Sequence, residues 1–265
     1  MPSNWTKYLV PLRKHEITYN DLPVYMEDRI LPPLSTIDGK TVQVDELIGK
    51  LIEYYYPNIE SIYDPTCGTE NHMFSSRLED TGEGWCYKLP VSGRCVKYIA
   101  SDVRSTKWNC YNGRCLKWNV LREDPPGVTA DVVVYDPPYV PHSMERRGTD
   151  YGVDVDRDVA SVRLYYRGDV LRKMAHVSRL GVVIKGSDFY YPLDSDYFHG
   201  FLMDILTRGS LRDAGLRVVA VHVYRYYNTA VPLYRHRVSR SMQVKLYRRT
   251  IVNHTYFVFT RKMPG

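Results

Sequence analysis

The chain has 265 residues, 44% hydrophobic and 25% charged, enough to bury one substantial core and an ordinary length for a single α/β domain. No stretch approaches the ~18 uninterrupted apolar residues of a membrane span, and Met1-Pro2-Ser3-Asn4-Trp5 lacks the charged-then-apolar order of a signal peptide, so a soluble, cytoplasmic protein with no membrane partner is expected. The net charge of +6 is unevenly placed: the 52 residues after Asp213 carry ten Lys or Arg and no acid, leaving 26 basic against 30 acidic side chains before them, and such a one-sided field suits a polyanion.

In chain order, residues 1–40 are rich in proline, with Pro11, Pro23, Pro32 and Pro33, and read as an irregular N-terminal strap over a single domain spanning 41–265. Asp45 to Tyr56 has the period of an amphipathic helix, with Leu47, Ile48, Leu51 and Ile52 inward. Ser61-Ile62-Tyr63 is a short strand running into the turn Asp64-Pro65-Thr66-Cys67-Gly68-Thr69-Glu70, with a helix expected over Asn71 to Leu78. Lys97 to Ser101 is a second strand, ending at Asp102, and Leu116 to Leu121 a third. Asp131 to Tyr135 is a continuous apolar run of the kind buried on both faces. A helix over Val159 to Ser178, a strand over Gly181 to Lys185, a helix over Tyr197 to Ala214 stopped by Gly215, and strands over Arg217 to Tyr227 and Thr255 to Thr260 complete the pattern. Strands alternating with helices predict an α/β fold: a Rossmann-like, seven-stranded, mostly parallel sheet covered on both faces.

The five cysteines, Cys67, Cys86, Cys95, Cys110 and Cys115, show no zinc-ligand spacing, and no metal is expected. Cys86 with Cys95, or Cys110 with Cys115, are spaced for local disulfides, which in a cytosolic protein would point to a hyperthermophile. Only two glutamines in the chain lean the same way. Cys67, inside the first turn, reads as a small packing residue.

Two places carry chemistry. A tight glycine turn after the first strand and an acid after the second suit a ligand with a ribose, whose hydroxyls an acid accepts; Asp64 to Gly68 and Asp102 stand there. More specific is Asp136-Pro137-Pro138-Tyr139 at the carboxyl end of the fourth strand. Two prolines remove amide donors, so that Asp136 and the Pro137 carbonyl present acceptors into one small space, the complement of the two N–H donors of an exocyclic amine. Tyr139 adds a flat face for stacking.

These motifs resemble those of the class I, Rossmann-like amino-methyltransferases, in particular the DNA adenine-N6 and cytosine-N4 methyltransferases, over roughly residues 45 to 262. Asp64 to Thr69 is similar to the family's DPxCGSG loop, Asp136 to Tyr139 to its DPPY, Gly181 to Lys185 to its fifth strand, and Asn253 to Phe259 to its last. The resemblance implies S-adenosylmethionine as cofactor, held by Asp64, Pro65, Cys67, Gly68, Asp102, Val103 and Asn119. It implies in-line methyl transfer to a base amine at Asp136, Pro137, Pro138 and Tyr139, with no covalent intermediate. Glu70 stands where the second glycine of the loop is usual, and Asn119 where an Asp is frequent, so cofactor affinity is what these departures touch. Adenine is favoured over cytosine by the family's habit with DPPY.

A base inside a duplex must be flipped into such a site. Arg146 and Arg147, after the catalytic strand, and Arg225, Arg235, Arg237, Arg240, Lys245, Arg248 and Arg249, interleaved with tyrosines, suit phosphate contact and stacking, with DNA as the expected partner. RNA is the alternative polymer, and a non-catalytic nucleic-acid-binding subunit the alternative of another class.

Overall fold

Residues 14–19, 22–31, 44–68, 74, 77–103, 115–137, 164–187, 210–228 and 251–264 are described by a computed structural model. Its strands are β1 (Lys14–Tyr19), β2 (Leu22–Leu31), β3 (Ser61–Asp64), β4 (Leu78–Asp80), β5 (Trp85–Lys88), β6 (Cys95–Asp102), β7 (Leu116–Lys117), β8 (Ala130–Tyr135), β9 (Ser178–Ser187), β10 (Leu216–Asn228) and β11 (Ile251–Lys262). Its helices are α1 (Val44–Tyr55), α2 (Gly168–Val177) and the single turn α3 (Ser210–Asp213), with a 3-10 turn over Leu164–Tyr166 ahead of α2. The strands lie in the order β1-β2-β10-β11-β9-β8-β3-β6-β5-β4, with β7 beside β6.

All seven expected strands are present, but among the described residues the sheet has eleven, and the expectation of a mostly parallel sheet is corrected. β3, β6, β7, β8 and β9 pair in parallel, and so do β2 and β10. The contacts of β1 with β2, β10 with β11, β11 with β9, β4 with β5 and β5 with β6 are antiparallel. The additions are all hairpins, which need only a short turn, whereas each parallel neighbour needs a crossover. Within the stretch 1–40 read as irregular, the described residues form the β1–β2 hairpin, with β2 parallel to β10, and Pro11, Pro32 and Pro33 lie outside the described residues. Pro23 sits at its start, paired with Thr18 and one residue before the contact with β10 begins at Val24, where a missing N–H breaks no interior ladder.

Alternation along the central strands builds two cores. On β8, Val132 and Val134 face one side with Ile62, Phe257 and the α1 residues Ile48, Leu51 and Ile52, while Val133 and Tyr135 face the other with Tyr63 and the α2 residues Leu171 and Met174. Both faces of β8 are thus covered, which is why its sequence is apolar without a break. The helix expected over Val159 to Ser178 is α from Gly168, and that over Tyr197 to Ala214 is described only from Ser210. Leu116 to Leu121 is strand only at Leu116–Lys117, after which Asn119 turns the chain. Leu78, expected to end a helix, begins β4, and most of Asn71 to Leu78 lies outside the described residues. No helix among the described residues is long and apolar enough to cross a membrane.

Candidate active site

The strand order reverses direction at β3. From it the chain runs outward to β6 and β7, then returns to β8 on the other flank and continues to β9. The carboxyl ends of β3 and β8 therefore border the crevice that open α/β sheets use for ligands. Asp64 closes β3, Asp102 closes β6, and Asp136 follows β8 directly.

The turn after β3 is laid against the end of β6. The Cys67 N–H donates to the Ser101 carbonyl at 3.1 Å, the Gly68 N–H to Asp102 Oδ2 at 3.1 Å, and the Ser101 hydroxyl to the Pro65 carbonyl at 3.1 Å. Gly68 takes φ 65°, a conformation glycine adopts without a Cβ penalty. Cys67 is buried in the core with Phe74 and Tyr98, as a small packing residue would be. Asp64 is wholly buried; it accepts from the Tyr98 hydroxyl at 2.9 Å and the Thr66 N–H at 3.3 Å. Burial pushes its carboxyl up to about 7, and the neighbouring Asp136 and Asp102 push the same way. Val103, half-buried, follows Asp102. Asn119 turns its side chain inward along its own loop, its Oδ1 accepting from Leu121 N–H at 3.1 Å and its N–H donating to Glu123 at 2.8 Å.

Asp136 is fixed from two sides. Its N–H donates to the Thr66 hydroxyl at 3.2 Å, and its Oδ2 accepts from the Lys185 ammonium at 2.7 Å. Its Oδ1 is buried and meets no donor among the described residues. Pro137 is buried beside it. Pro138, Tyr139, Arg146, Arg147, Arg235, Arg237, Arg240, Lys245, Arg248 and Arg249 lie outside the described residues, and of Arg225 the backbone alone is described, on β10 opposite His254.

Sequence reasoning missed Thr66, Tyr98 and Lys185 as parts of this cluster. The one signal available was a lysine ending the apolar Gly181-Val182-Val183-Ile184 run as Asp136 ends its own: Tyr135 pairs with Ile184, so the residues that follow lie side by side. Asp64, Asp102 and Asp136 thus stand at neighbouring strand ends, with the Lys185 ammonium on Asp136, an acidic set of acceptors that fits a ligand carrying positive charge and ribose hydroxyls.

No protein-family model matches the chain, and no curated protein does. Its fold is similar to that of several solved structures. One is a candidate RNA methyltransferase from Pyrococcus horikoshii (10% identity, 82% of this chain and 84% of that one, TM-score 0.41). Another is the magnesium protoporphyrin IX methyltransferase from Synechocystis PCC 6803 with bound SAH (10% identity, 83% and 81%, TM-score 0.40). A third is a TehB-like SAM-dependent methyltransferase from Corynebacterium glutamicum (10% identity, 84% and 89%, TM-score 0.38). Likenesses this distant leave the chemistry to be read from the site.

Proposed function

We propose that the chain is an S-adenosylmethionine-dependent methyltransferase that methylates the exocyclic amine of a base in DNA, adenine-N6 ahead of cytosine-N4. The observation that carries the reading is the Oδ1 of Asp136 at the carboxyl end of β8, buried and without a partner among the described residues. A buried acceptor left without a donor costs about 1–3 kcal/mol, a penalty relieved when a ligand brings an N–H. An exocyclic amine is such a donor, and Asp136 is followed by two prolines that bring no amide to compete.

The residues present fit the cofactor. The Gly68 turn would hold its amino-acid end, with Asp64 buried behind that turn and supporting it through Thr66, and Asp102 would hold its ribose, with Val103 and Asn119 beside the adenine; bound there, it supplies an electrophilic methyl group. Asp136 accepts one N–H of the base amine and holds the nitrogen for in-line attack, so positioning and electrostatics provide the rate and no covalent intermediate is required. Pro138 and Tyr139 complete the tetrapeptide. The basic, tyrosine-rich segments around Arg146 and Arg147 and from Arg225 to Arg249 supply phosphate contacts.

The test is transfer of labelled methyl from S-adenosylmethionine to duplex DNA and, in parallel, to total transfer RNA, with nucleoside digestion and mass spectrometry. N6-methyladenine or N4-methylcytosine from DNA is the expected product. Label confined to RNA would move the substrate to that polymer, and no label in either would sink the enzymatic reading.

A further inference from the structure

The Asp136–Lys185 pair is more than an ion pair at a strand end. β8 and β9 run in parallel with Tyr135 beside Ile184, so each strand delivers its next side chain to the same edge of the crevice. The ammonium and Oδ2 meet at 2.7 Å, the short distance of a charge-assisted bond, and the two side chains are only 14% and 19% exposed. Both partners are anchored by other elements. The Tyr166 hydroxyl, from the 3-10 turn ahead of α2, donates to the Lys185 carbonyl at 3.1 Å, and the Thr66 hydroxyl accepts the Asp136 N–H.

A purely structural ion pair would be expected to satisfy both carboxylate oxygens where they are buried, because a buried acceptor without a donor is a net loss. Here one oxygen is taken and the other is not. Rotation of the carboxylate by half a turn only exchanges the two oxygens: one stays on Lys185 and the other still faces an absent donor. Lys185 therefore sets the plane of the carboxylate and the direction of its remaining lone pairs, the kind of support that holds a reacting group to within a fraction of an ångström.

We infer that Lys185 is the positioning residue of the methyl-accepting site, occupying Asp136 Oδ2 so that Oδ1 alone is aimed at the amine of the incoming base. The inference rests on the function proposed above. It assigns Lys185 no contact with the cofactor and no proton transfer; its effect passes through Asp136. Loss of Lys185 should accordingly leave cofactor and polynucleotide binding in place and slow the transfer step.

The experiment compares wild type with Lys185→Met for kcat and KM on duplex DNA at saturating cofactor, with calorimetric binding of S-adenosylmethionine and a melting curve on each protein. The expected result is a kcat lower by about 10²-fold, the scale for removing one preorganised electrostatic contact, with KM for DNA and cofactor affinity within about threefold of wild type on the same reasoning that only the transition state is affected. If Lys185→Met fails to fold, Lys185→Gln, which keeps an N–H toward Oδ2 without the charge, replaces it and should lose about tenfold or more in kcat. Wild-type kcat in whichever variant folds overturns the inference alone, as does a loss carried by KM or by cofactor affinity. Absence of transfer by the wild-type protein to DNA or RNA overturns the proposed function and this inference together.

Discussion

The hydroxyl of Thr66 accepts the backbone N–H of Asp136 at 3.2 Å, joining two turns that lie 70 residues apart in the chain. One turn carries the proposed cofactor loop and the other the proposed methyl-accepting carboxylate, so this bond sets the distance between the two halves of the reaction. Thr66→Val keeps the shape and removes the acceptor, leaving the Asp136 N–H without its partner. A stability loss of about 1 kcal/mol in urea unfolding is expected, together with a kcat roughly tenfold lower from the misplaced carboxylate. Unchanged kcat would show that the two turns are registered by other contacts.

Asp136→Asn gives the sharper test of the site. The amide would turn its oxygen to the Lys185 ammonium, because the other orientation sets N–H against N–H there. That leaves an NH2 facing the base amine, donor against donor. Methyl transfer should fall by at least about 10²-fold, with S-adenosylmethionine binding retained in calorimetry. Appreciable turnover in this variant would remove Asp136 from the mechanism.

Asp64 makes stability depend on pH in a direction opposite to a salt-bridged carboxylate. Burial raises its folded-state value to about 7, while in the unfolded chain it titrates near 4. Between those values the folded protein holds a proton that the unfolded chain has released, so stability is greatest below about pH 4, falls as pH rises toward 7, and levels off above it. The fall is on the order of a few kcal/mol. Urea midpoints of the cofactor-free protein measured from pH 4 to 8 should show this slope, and Asp64→Asn, which stays neutral throughout, should flatten it. An identical slope in both proteins would mean that other groups carry the dependence.

What the sequence made legible follows from period and position. The runs at Asp131 to Tyr135 and Gly181 to Lys185 are apolar because each strand is covered on both sides, and their short length and valine content mark them as strands rather than buried helix. Asp64, Asp102 and Asp136 could be placed at strand ends because each stands where a strand-like run stops. The β1–β2 hairpin was hidden by Pro23 and the prolines that flank it in sequence, which signal irregularity unless one knows that Pro23 falls just before pairing with β10 starts. The β4–β5 hairpin was hidden by length, three and four residues with mixed burial. Tyr98 and Thr66 were illegible as site residues because a hydroxyl reveals its role only through what it faces, and those partners, Asp64 and Asp136, are 34 and 70 residues away.

The spacing of Cys86 and Cys95 did suggest their bond, and the structure joins them across β5 and β6, with Cα atoms 5.5 Å apart. Cys115 is also disulfide-bonded, and Cys110 lies outside the described residues. The Cys86–Cys95 loop is short, so in the chain-entropy account its closure contributes about 2.5 kcal/mol. Cys86→Ala with Cys95→Ala should lower Tm by roughly 5–10 °C. Because β5 pairs with the first half of β6, away from Asp102, methyl transfer at 25 °C should be unaltered in the same variant. A variant that melts like wild type would show that the bond does not form in solution.

Gly181 lies where β9 and β11 approach too closely for any side chain. A Cβ there would overlap the carbonyl oxygen of Thr260 and meet the Tyr56 hydroxyl at 2.9 Å. Neither neighbour is free to retreat: the Tyr56 hydroxyl donates to that same carbonyl, and the Thr260 hydroxyl bridges the Val182 N–H at 3.0 Å and the Val182 carbonyl at 2.7 Å. Gly181→Ala should therefore cost about 3 kcal/mol, at the upper end of overpacking substitutions, read as a lower urea midpoint with an unchanged slope. The strain also has a direction. β9 would be pushed away from β11, and Lys185, four residues further along β9, would shift against Asp136 on β8. Under conditions where the variant remains folded, kcat should fall several-fold through that displacement, while Cys86→Ala with Cys95→Ala, at the far side of the sheet, should leave kcat alone. A destabilised Gly181→Ala protein with wild-type kcat would show that the ion pair tolerates movement of its strand.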